Sequence, residues 1–225
     1  MGMKHFIGVE RERYDKATFD DVRKTLTRGD LVYDVGAYDA ITSVIAAEIV
    51  GASNVVIIEP AYVNWGTIRE YYVQNTSGLP RATFAGFLSN TDTEWGANVY
   101  QSSFPPESDW YPVSEYEEHS NFRLLNDRHI PEVVQLPQMK LDTLASRVGP
   151  PKGVLIDVEG AELLVLQGAE KTIEEFHPTF WVSIHPKFML DRFGMGEGLL
   201  HTYMENWGYK STLLADDHEQ HWRFS

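Results

Sequence analysis

Short apolar runs alternate with amphipathic segments along most of this chain, and the alternation predicts strands separated by helices. The clearest strand is NVVIIE (54–59), an unbroken β-branched run that is typical of a central parallel strand buried on both faces. Predicted strands cover 31–35, 54–59, 82–88, 153–158, 179–184, 209–215 and 220–224. Predicted helices cover 14–28, 39–50, 62–74, 141–148, 161–176 and 199–207, and a loop covers 186–198.

This order of elements predicts an α/β fold with a doubly wound, mostly parallel, seven-stranded sheet and an antiparallel edge strand. The sequence contains no internal repeat and no linker, so we expect a single domain over 1–225. Ligands of such sheets bind outside the carboxyl ends of the strands, where the strand order reverses. The turns expected to meet there follow Val35, Glu59, Leu88, Val158 and Ile184.

The pattern dissolves between residues 89 and 137, a stretch rich in aromatic residues. Its rings are Trp95, Tyr100, Phe104, Trp110, Tyr111, Tyr116 and Phe122. Segments this long without regular structure are often lids or binding loops, so we expect a partly ordered insertion over the cleft. Its rings could stack on sugar faces while Glu115, Glu117 and Glu118 bind hydroxyls, and the rings could also form a small satellite core. We expect both, with one or two rings exposed in the cleft.

Composition narrows the class of partner. The chain has 225 residues with 19 basic and 33 acidic side chains, a formal net charge of -14. Such a surface repels phosphate backbones and anionic membranes, so we expect no nucleic-acid or membrane partner. The absence of cysteine excludes disulfides and thiolate sites. With no long apolar run, we expect a soluble, cytoplasmic protein and leave the oligomeric state open.

The first candidate site is the turn DVGAYDA, which follows the first strand. It has one glycine, Gly36, where a dinucleotide fingerprint has three. Asp34 could accept a bond from a ligand ammonium group, which favours a nucleoside that carries an amino acid. Glu59, at the end of the second strand, could accept the hydroxyls of its ribose. The alternative is that Asp34 and Gly36 only shape the turn.

The second candidate site is IDVEGAELLVLQGAE (156–170). Asp157 ends a buried strand and could orient or deprotonate a substrate hydroxyl, with Glu159 in the following turn. We interpret Glu162 as an acid that stabilises the start of a helix. His185, after the fifth strand, could be a general base or could bond a neighbouring loop.

Five segments, GDLVYDVGAYDA, VVIIEP, LDTL, IDVEGAELLVLQGAE and SIHP, occur in the order found in the FkbM-type methyltransferase family. The chain resembles that family over roughly 29–186. The resemblance implies the class I S-adenosylmethionine-dependent fold and O-methylation of hydroxyls on sugars or polyketides. It departs from the family at Tyr38 and Ala40, where an asparagine and a glycine are usual, and at Leu155, where a lysine is frequent.

The resemblance also assigns residues. It implies that the methionine end of the cofactor is held by Asp34, Gly36, Ala37 and Tyr38. It implies ribose binding by Glu59 with Pro60, and adenine contacts by Phe87 and Leu88. The residues implied at the methyl-transfer centre are Asp157, Glu159 and His185, with Asp157 also touching the cofactor.

We therefore expect an S-adenosylmethionine-dependent O-methyltransferase that acts on a hydroxyl of a small molecule or glycan, most simply a sugar. The alternatives are a non-catalytic glycan-binding or assembly module and a nicotinamide-dependent oxidoreductase. We expect no metal, although Asp157, Glu159 and His185 offer an alternative set of ligands for a divalent cation. His218 and His221 are rejected as a metal pair because residues three apart on a strand point to opposite faces.

Overall fold

A sheet of eight strands forms the centre of the protein. The computed structural model describes residues 15–93, 98–106, 137–217 and 219–225. The strands are β1 (Val32–Val35), β2 (Val55–Ile58), β3 (Ala82–Phe84), β4 (Phe87–Leu88), β5 (Val99–Gln101), β6 (Gln138–Met139), β7 (Gly153–Ile156), β8 (Thr179–Ile184), β9 (Ser211–Asp216) and β10 (Gln220–Phe224). Their order across the central sheet is β5-β3-β2-β1-β7-β8-β10-β9.

Helices connect these strands. They are α1 (Lys16–Thr25), α2 (Ile41–Val50), α3 (Trp65–Asn75), α4 (Leu141–Val148), α5 (Glu162–Gln167), α6 (Glu170–Phe176), α7 (Pro186–Phe188) and α8 (Glu197–Asn206). Short 3-10 turns precede β2 and α3, and a π turn, Met189–Phe193, follows α7. None of the helices in the described ranges has the length and apolar character that crossing a membrane requires.

The five inner strands, β3, β2, β1, β7 and β8, run parallel, and the order reverses between β1 and β7. The predicted doubly wound fold is confirmed. β10 runs antiparallel to both β8 and β9. The sheet has eight strands instead of the seven expected because β5, from the aromatic-rich segment, adds an antiparallel edge next to β3.

The third predicted strand, 82–88, is interrupted. β3 ends at Phe84, and β4 pairs with β6 in a separate two-stranded sheet. The bend lies at Gly86, where a Cβ atom would be 2.5 Å from both the Pro137 carbonyl oxygen and the Phe84 ring. The chain can therefore turn away from the main sheet only because residue 86 has no side chain.

Each face of the sheet buries its own core because successive residues of a strand point to opposite sides. On β2, Val55 and Ile57 pack with α1–α3, whereas Val56 and Ile58 pack with α4–α6 and α8. Asp34 is buried between Tyr33 and Val35, which belong to the second of these cores. Strand alternation therefore puts the Asp34 side chain on the α1–α3 side.

The single helix predicted over 161–176 is wrong, since α5 and α6 are separated at Gly168. A Cβ atom at Gly168 would lie 2.0 Å from the Ser89 carbonyl oxygen. The Ser89 backbone therefore packs directly against the break between the two helices, where a residue with a side chain would not fit. Phe176, the last residue of that predicted helix, is 48% exposed. The predicted loop 186–198 instead contains α7 and the π turn, helped by Pro186 at a position where proline suits a helix start.

Most of the aromatic-rich segment lies outside the described residues, including Trp95, Trp110, Tyr111, Tyr116, Phe122, Glu115, Glu117 and Glu118. Two of its rings are described. Tyr100 lies on β5, and Phe104 packs edge-on against Tyr72 with ring centroids 6.2 Å apart. Phe104 therefore contributes to the core on the α1–α3 face.

Candidate active site

The turns after β1 and β7 touch each other at the point where the strand order reverses. Gly36 has a φ of 91°, and a Cβ atom there would be 1.8 Å from the carbonyl oxygen of Asp157. The Asp157 amide donates to the Val35 carbonyl at 2.9 Å, and the Gly36 amide donates to Ile58 at 2.9 Å. A side chain at residue 36 would separate these turns, so the glycine is required by close packing as well as by its φ.

Asp34 is buried at the end of β1 and binds the start of α2. Its Oδ2 accepts a hydrogen bond from Thr42 Oγ1 at 2.7 Å and another from Ser43 Oγ. Burial raises the pKa of Asp34 to about 6, although these hydroxyls oppose the shift. Asp34 thus shapes the turn, and its predicted bond to a ligand ammonium group stays a prediction.

Glu59 links the end of β2 to the glycine turn. Its Oε2 accepts a hydrogen bond from the Tyr38 amide at 2.9 Å, and its Oε1 accepts from the Ala61 amide at 2.7 Å and from Asn64 Nδ2 at 3.3 Å. Burial raises the pKa of Glu59 to about 7 against these bonds, and the charge of Asp34 adds to the rise. The structure therefore brings the predicted ribose acceptor, with the adjacent Pro60, against the predicted cofactor turn.

Tyr38 and Ala40 adopt the left-handed conformation, with φ of 49° and 69°. This backbone suits asparagine and glycine better than tyrosine and alanine, so both departures from the family pattern place a less suitable residue at a left-handed position. Ala37 is buried, whereas the Tyr38 side chain is 61% exposed. The Tyr38 ring therefore stands free beside the turn.

The two residues predicted to contact adenine, Phe87 and Leu88, both pack against other apolar side chains. Leu88 is buried in the core on the α4–α6 face, and Phe87 packs partly buried against Ala161 and Leu164. Their assignment to adenine stays a prediction.

Around His185 the structure gathers a set of acids that we call the carboxylate–histidine cluster: Asp157, Glu159, Glu162, His185 and Glu219. His185 Nδ1 bonds Glu162 Oε1 at 2.8 Å, and Nε2 lies 2.5 Å from Glu219 Oε2. Nε2 also lies 3.8 Å from Asp157 Oδ1 and 4.0 Å from Glu159 Oε1. The three predicted catalytic residues are therefore together, with two acids that sequence reasoning did not place there.

Glu162 is the first of these additions. It opens α5, as expected of a helix-stabilising acid, but its side chain is completely buried. Besides contacting His185, Oε1 accepts a hydrogen bond from the Gly160 amide at 2.9 Å. Glu162 therefore fixes the ring of His185 relative to the turn after β7, a role that only the packed structure reveals.

Glu219 is the second addition. The sequence places it in a polar turn between two strands, without indicating its neighbours. In the sheet, Gln220 of β10 pairs with Ile184 of β8, so Glu219 comes opposite His185. Glu219 could have been identified from the sequence only by aligning the last strand antiparallel to β8 in this register.

The charges of the cluster change the expected roles. Burial by itself lowers the pKa of His185, but hydrogen bonds with Glu162 and Glu219 and the charge of Asp157 raise it to about 11. A histidine held as a cation has no lone pair for a proton, which argues against His185 as the general base. Burial and the charge of Glu219 raise the pKa of Asp157, against the effect of His185. Asp157 thus has the more suitable properties for a base.

Glu159 is held differently. Its φ of 54° is left-handed, its side chain is 47% exposed, and its carbonyl accepts a hydrogen bond from Arg192 at 2.8 Å. The following residue, Gly160, has no room for a side chain because Phe188 lies against it. The turn after β7 is therefore fixed by the segment that follows β8.

A groove opens beside the cluster on the α1–α3 side, with a cavity volume of about 80 Å³. Its polar lining includes Asp15, Asp34, Asp157, Ser183, Glu219 and His221. His221 is buried, 3.2 Å from Ser183 Oγ and 3.4 Å from Asp15. His218, the other member of the rejected metal pair, lies outside the described residues.

A parallel sheet that reverses between β1 and β7, with a glycine turn, an acid ending β2 and a carboxylate after β7, defines a class I methyltransferase-like α/β protein. Two solved structures share the fold. The methyltransferase FkbM from Methylobacillus flagellatus KT gives a TM-score of 0.53 at 14% identity over 89% of this chain. SMU.1697c from Streptococcus mutans, a putative methyltransferase in complex with SAH, gives 0.52 at 8% identity over 93% of this chain and 96% of its own.

The chain belongs to the FkbM methyltransferase family, because the profile described as "Methyltransferase FkbM domain" matches residues 34–211. The resemblance inferred from the motifs is confirmed, and so is S-adenosylmethionine as the cofactor of this class of enzyme. The chain spans 44% of the length of the Methylobacillus protein. A comparison with curated proteins gives no match.

Proposed function

We propose that this protein is an S-adenosylmethionine-dependent O-methyltransferase that methylates a hydroxyl of a sugar or glycan. One observation carries the proposal: the glycine turn predicted to hold the cofactor is in direct contact with the residue predicted to act as base. The packing of Gly36 against the Asp157 backbone leaves no room for a side chain between them. A cofactor on the turn and a hydroxyl near Asp157 would therefore be neighbours.

The residues of the first turn fit the cofactor. Glu59 offers carboxylate oxygens at the end of β2, where ribose hydroxyls can add to its existing bonds, and the exposed Tyr38 ring stands at the same turn. S-adenosylmethionine, when bound, supplies a methyl group that is already activated for displacement. The protein then has to orient the two reactants and remove one proton, since positioning can account for much of the rate.

Asp157 is the group proposed to take that proton. Its side chain is 36% exposed and lines the groove, so a hydroxyl in the groove can reach it. Its raised pKa makes it a better proton acceptor than an ordinary carboxylate. Glu162 at Nδ1 and Glu219 at Nε2 hold the ring of His185 beside Asp157, which fixes the electrostatic field around the base.

A polyhydroxyl acceptor suits the groove. Carboxylates from Asp15 and Glu219 and the hydroxyl of Ser183 line it, and these groups bind hydroxyls readily. The oxidoreductase alternative has no comparable support, because the family that matches is a methyltransferase family.

The experiment pairs cofactor binding with turnover. Calorimetry should show binding of S-adenosylhomocysteine, and a labelled methyl group should pass to a member of a monosaccharide and oligosaccharide panel. Asp157→Asn should lower turnover by about 10²–10⁴-fold with cofactor affinity changed less than about threefold, since it removes a proton acceptor and little volume. Asp191→Asn, at an exposed position, is the control. Unchanged turnover in Asp157→Asn would remove Asp157 from the mechanism, and absence of cofactor binding would overturn the proposal.

A further inference from the structure

We propose that Asp157, His185 and Glu219 bind a divalent cation of the Mn²⁺ type and that this cation holds the acceptor hydroxyl. The second half of this statement rests on the proposed function, whereas the first half does not. The three residues come from the turn after β7, the end of β8 and the turn before β10, so only the assembled sheet creates the site.

The spacing of the donor atoms suits a cation. One donor atom from each of the three residues lies within 4.8 Å of the others, and all three side chains are partly buried. The Nε2 atom of His185 lies 2.5 Å from Glu219 Oε2 and 3.8 Å from Asp157 Oδ1. Metal–ligand bonds of about 2.0–2.3 Å place neighbouring ligand atoms roughly 3–4 Å apart. Small side-chain adjustments are therefore sufficient to receive the ion.

Glu162, which is not one of the three proposed ligands, orients the histidine. It is fully buried and turned toward the site, with Oε1 bonded to His185 Nδ1 at 2.8 Å. This bond directs the opposite ring nitrogen, Nε2, at the two carboxylates. Histidine ligands usually donate their second ring N–H to a carboxylate, which fixes the ring for the metal.

The second oxygen of Glu162 is also informative. Oε2 is buried and makes no hydrogen bond with any of the described residues. A buried carboxylate oxygen without a donor is costly unless positive charge stands nearby. Four carboxylates share the imidazole of His185. A divalent ion would take the place of the proton on Nε2, which is released to solvent, and would neutralise these acids more fully.

The donor set selects the type of ion. Carboxylates suit Mg²⁺, Ca²⁺ and Mn²⁺, whereas imidazole suits the transition metals, and Mn²⁺ accepts both. Three protein ligands leave coordination positions for water and for a hydroxyl of the acceptor. A bound cation would lower the pKa of that hydroxyl, which helps its proton pass to the carboxylate oxygen of Asp157 that does not bind the ion. Glu219 takes the position that sequence reasoning gave to Glu159, whose Oε1 is 4.0 Å from Nε2.

The test is Mn²⁺ binding to the full chain, measured by calorimetry and by the loss of the free Mn²⁺ electron paramagnetic resonance signal. The wild type should bind one Mn²⁺ with a dissociation constant below about 100 µM, within the range of carboxylate-rich sites. Glu219→Gln and His185→Gln should each weaken binding at least about tenfold. Glu174→Gln, an exposed acid on α6, should bind as the wild type does.

Glu162→Gln tests the positioning role. It should weaken Mn²⁺ binding about 10–100-fold, as loss of an outer-shell carboxylate does, while affinity for S-adenosylhomocysteine stays unchanged. A purely structural role would lower both affinities together. Circular dichroism and thermal melting identify any variant that fails to fold. If Glu162→Gln does not fold, Glu219→Gln, at a partly buried position, decides whether the cation site exists.

Absence of saturable 1:1 binding to the wild type, or wild-type affinity in Glu219→Gln, would overturn the proposal. Methyl transfer that persists in excess chelator, together with no Mn²⁺ binding, would refute the cation while leaving the proposed function intact. Specific Mn²⁺ binding without methylation of any hydroxyl acceptor would do the reverse.

Discussion

At the scale of single residues, Glu59 shows how one carboxylate serves both the fold and the proposed ligand. Its oxygens bind the amides of Tyr38 and Ala61, which hold the glycine turn against the end of β2. Burial raises the pKa of Glu59 to about 7, so its charge changes close to neutral pH. Only the ionised form accepts two ribose hydroxyls without offering a competing proton.

Cofactor affinity should therefore depend on pH through Glu59. The affinity is present above the pKa of about 7 and is lost as the pH falls through it. If only ionised Glu59 binds, the dissociation constant of S-adenosylhomocysteine rises about tenfold from pH 8 to pH 6. Glu59→Gln should bind weakly with a flatter profile. Asp34 stays in the variant, so the difference between the two profiles belongs to Glu59; parallel profiles would contradict the assignment.

Gly36 carries a second prediction at this scale. Gly36→Ala places a side chain on a left-handed backbone and also forces its Cβ atom into the Asp157 carbonyl. Gly29→Ala strains only the backbone, which has a φ of 100°, because no atom lies within 4 Å of its Cβ position. Chemical denaturation should show a loss of about 1–2 kcal/mol for Gly29→Ala and about 2–5 kcal/mol for Gly36→Ala. Equal losses would mean that the contact between the two turns adds nothing to stability.

At the scale of elements, aspartates on one segment cap the helix of another. Asp92 Oδ1 accepts a hydrogen bond from the Lys140 amide at 2.9 Å, just before α4. Asp142, inside α4, accepts from the amides of Lys171 and Thr172 in the first turn of α6, at 3.0 and 2.8 Å. The LDTL segment therefore ties α4 to α6, which gives a physical role to one of the motifs shared with the family.

Removing this cap should destabilise the protein without touching the site. Asp142→Ala leaves two amides of α6 without their acceptor and should lower the free energy of unfolding by about 1–2 kcal/mol. Asp142→Asn keeps one acceptor and should lose less. Glu174→Ala, exposed on the same helix, should stay within about 0.5 kcal/mol of the wild type. Denaturant titration measures all three, and a neutral Asp142→Ala would show that water replaces the cap.

At the scale of the whole molecule, the proposed cofactor would join turns that follow β1 and β2 and face β7. A ligand that binds only the folded chain stabilises it by about 2.7 kcal/mol at 100 times its dissociation constant. For a chain of 225 residues this raises Tm by about 5–10 °C, measured by scanning calorimetry with S-adenosylhomocysteine. A nicotinamide dinucleotide should give no shift; the opposite result would favour the oxidoreductase.

Local patterns in the sequence were sufficient for the class of fold. The β-branched run at 54–59 and the amphipathic helices around it indicate a sheet that is buried on both faces. This was predictable because burial of a strand or helix face leaves a periodic pattern of apolar residues in the sequence. The interrupted strand at Gly86 and the helix break at Gly168 were missed because each arises from a carbonyl of a distant segment, Pro137 or Ser89. Contacts of that kind leave no local periodicity.

The sequence by itself determined the class of fold and the family, and it located the glycine turn and the carboxylates Asp34, Glu59 and Asp157, because these depend on residue types at fixed local spacing. Only the tertiary structure decided which side chains contact His185. The register of β10 against β8 brought Glu219 to Nε2, and the packing of α5 buried Glu162 against Nδ1. Those two contacts raise the pKa of His185 and so argue against its role as the general base, since the pKa of a side chain is set by its neighbours in space.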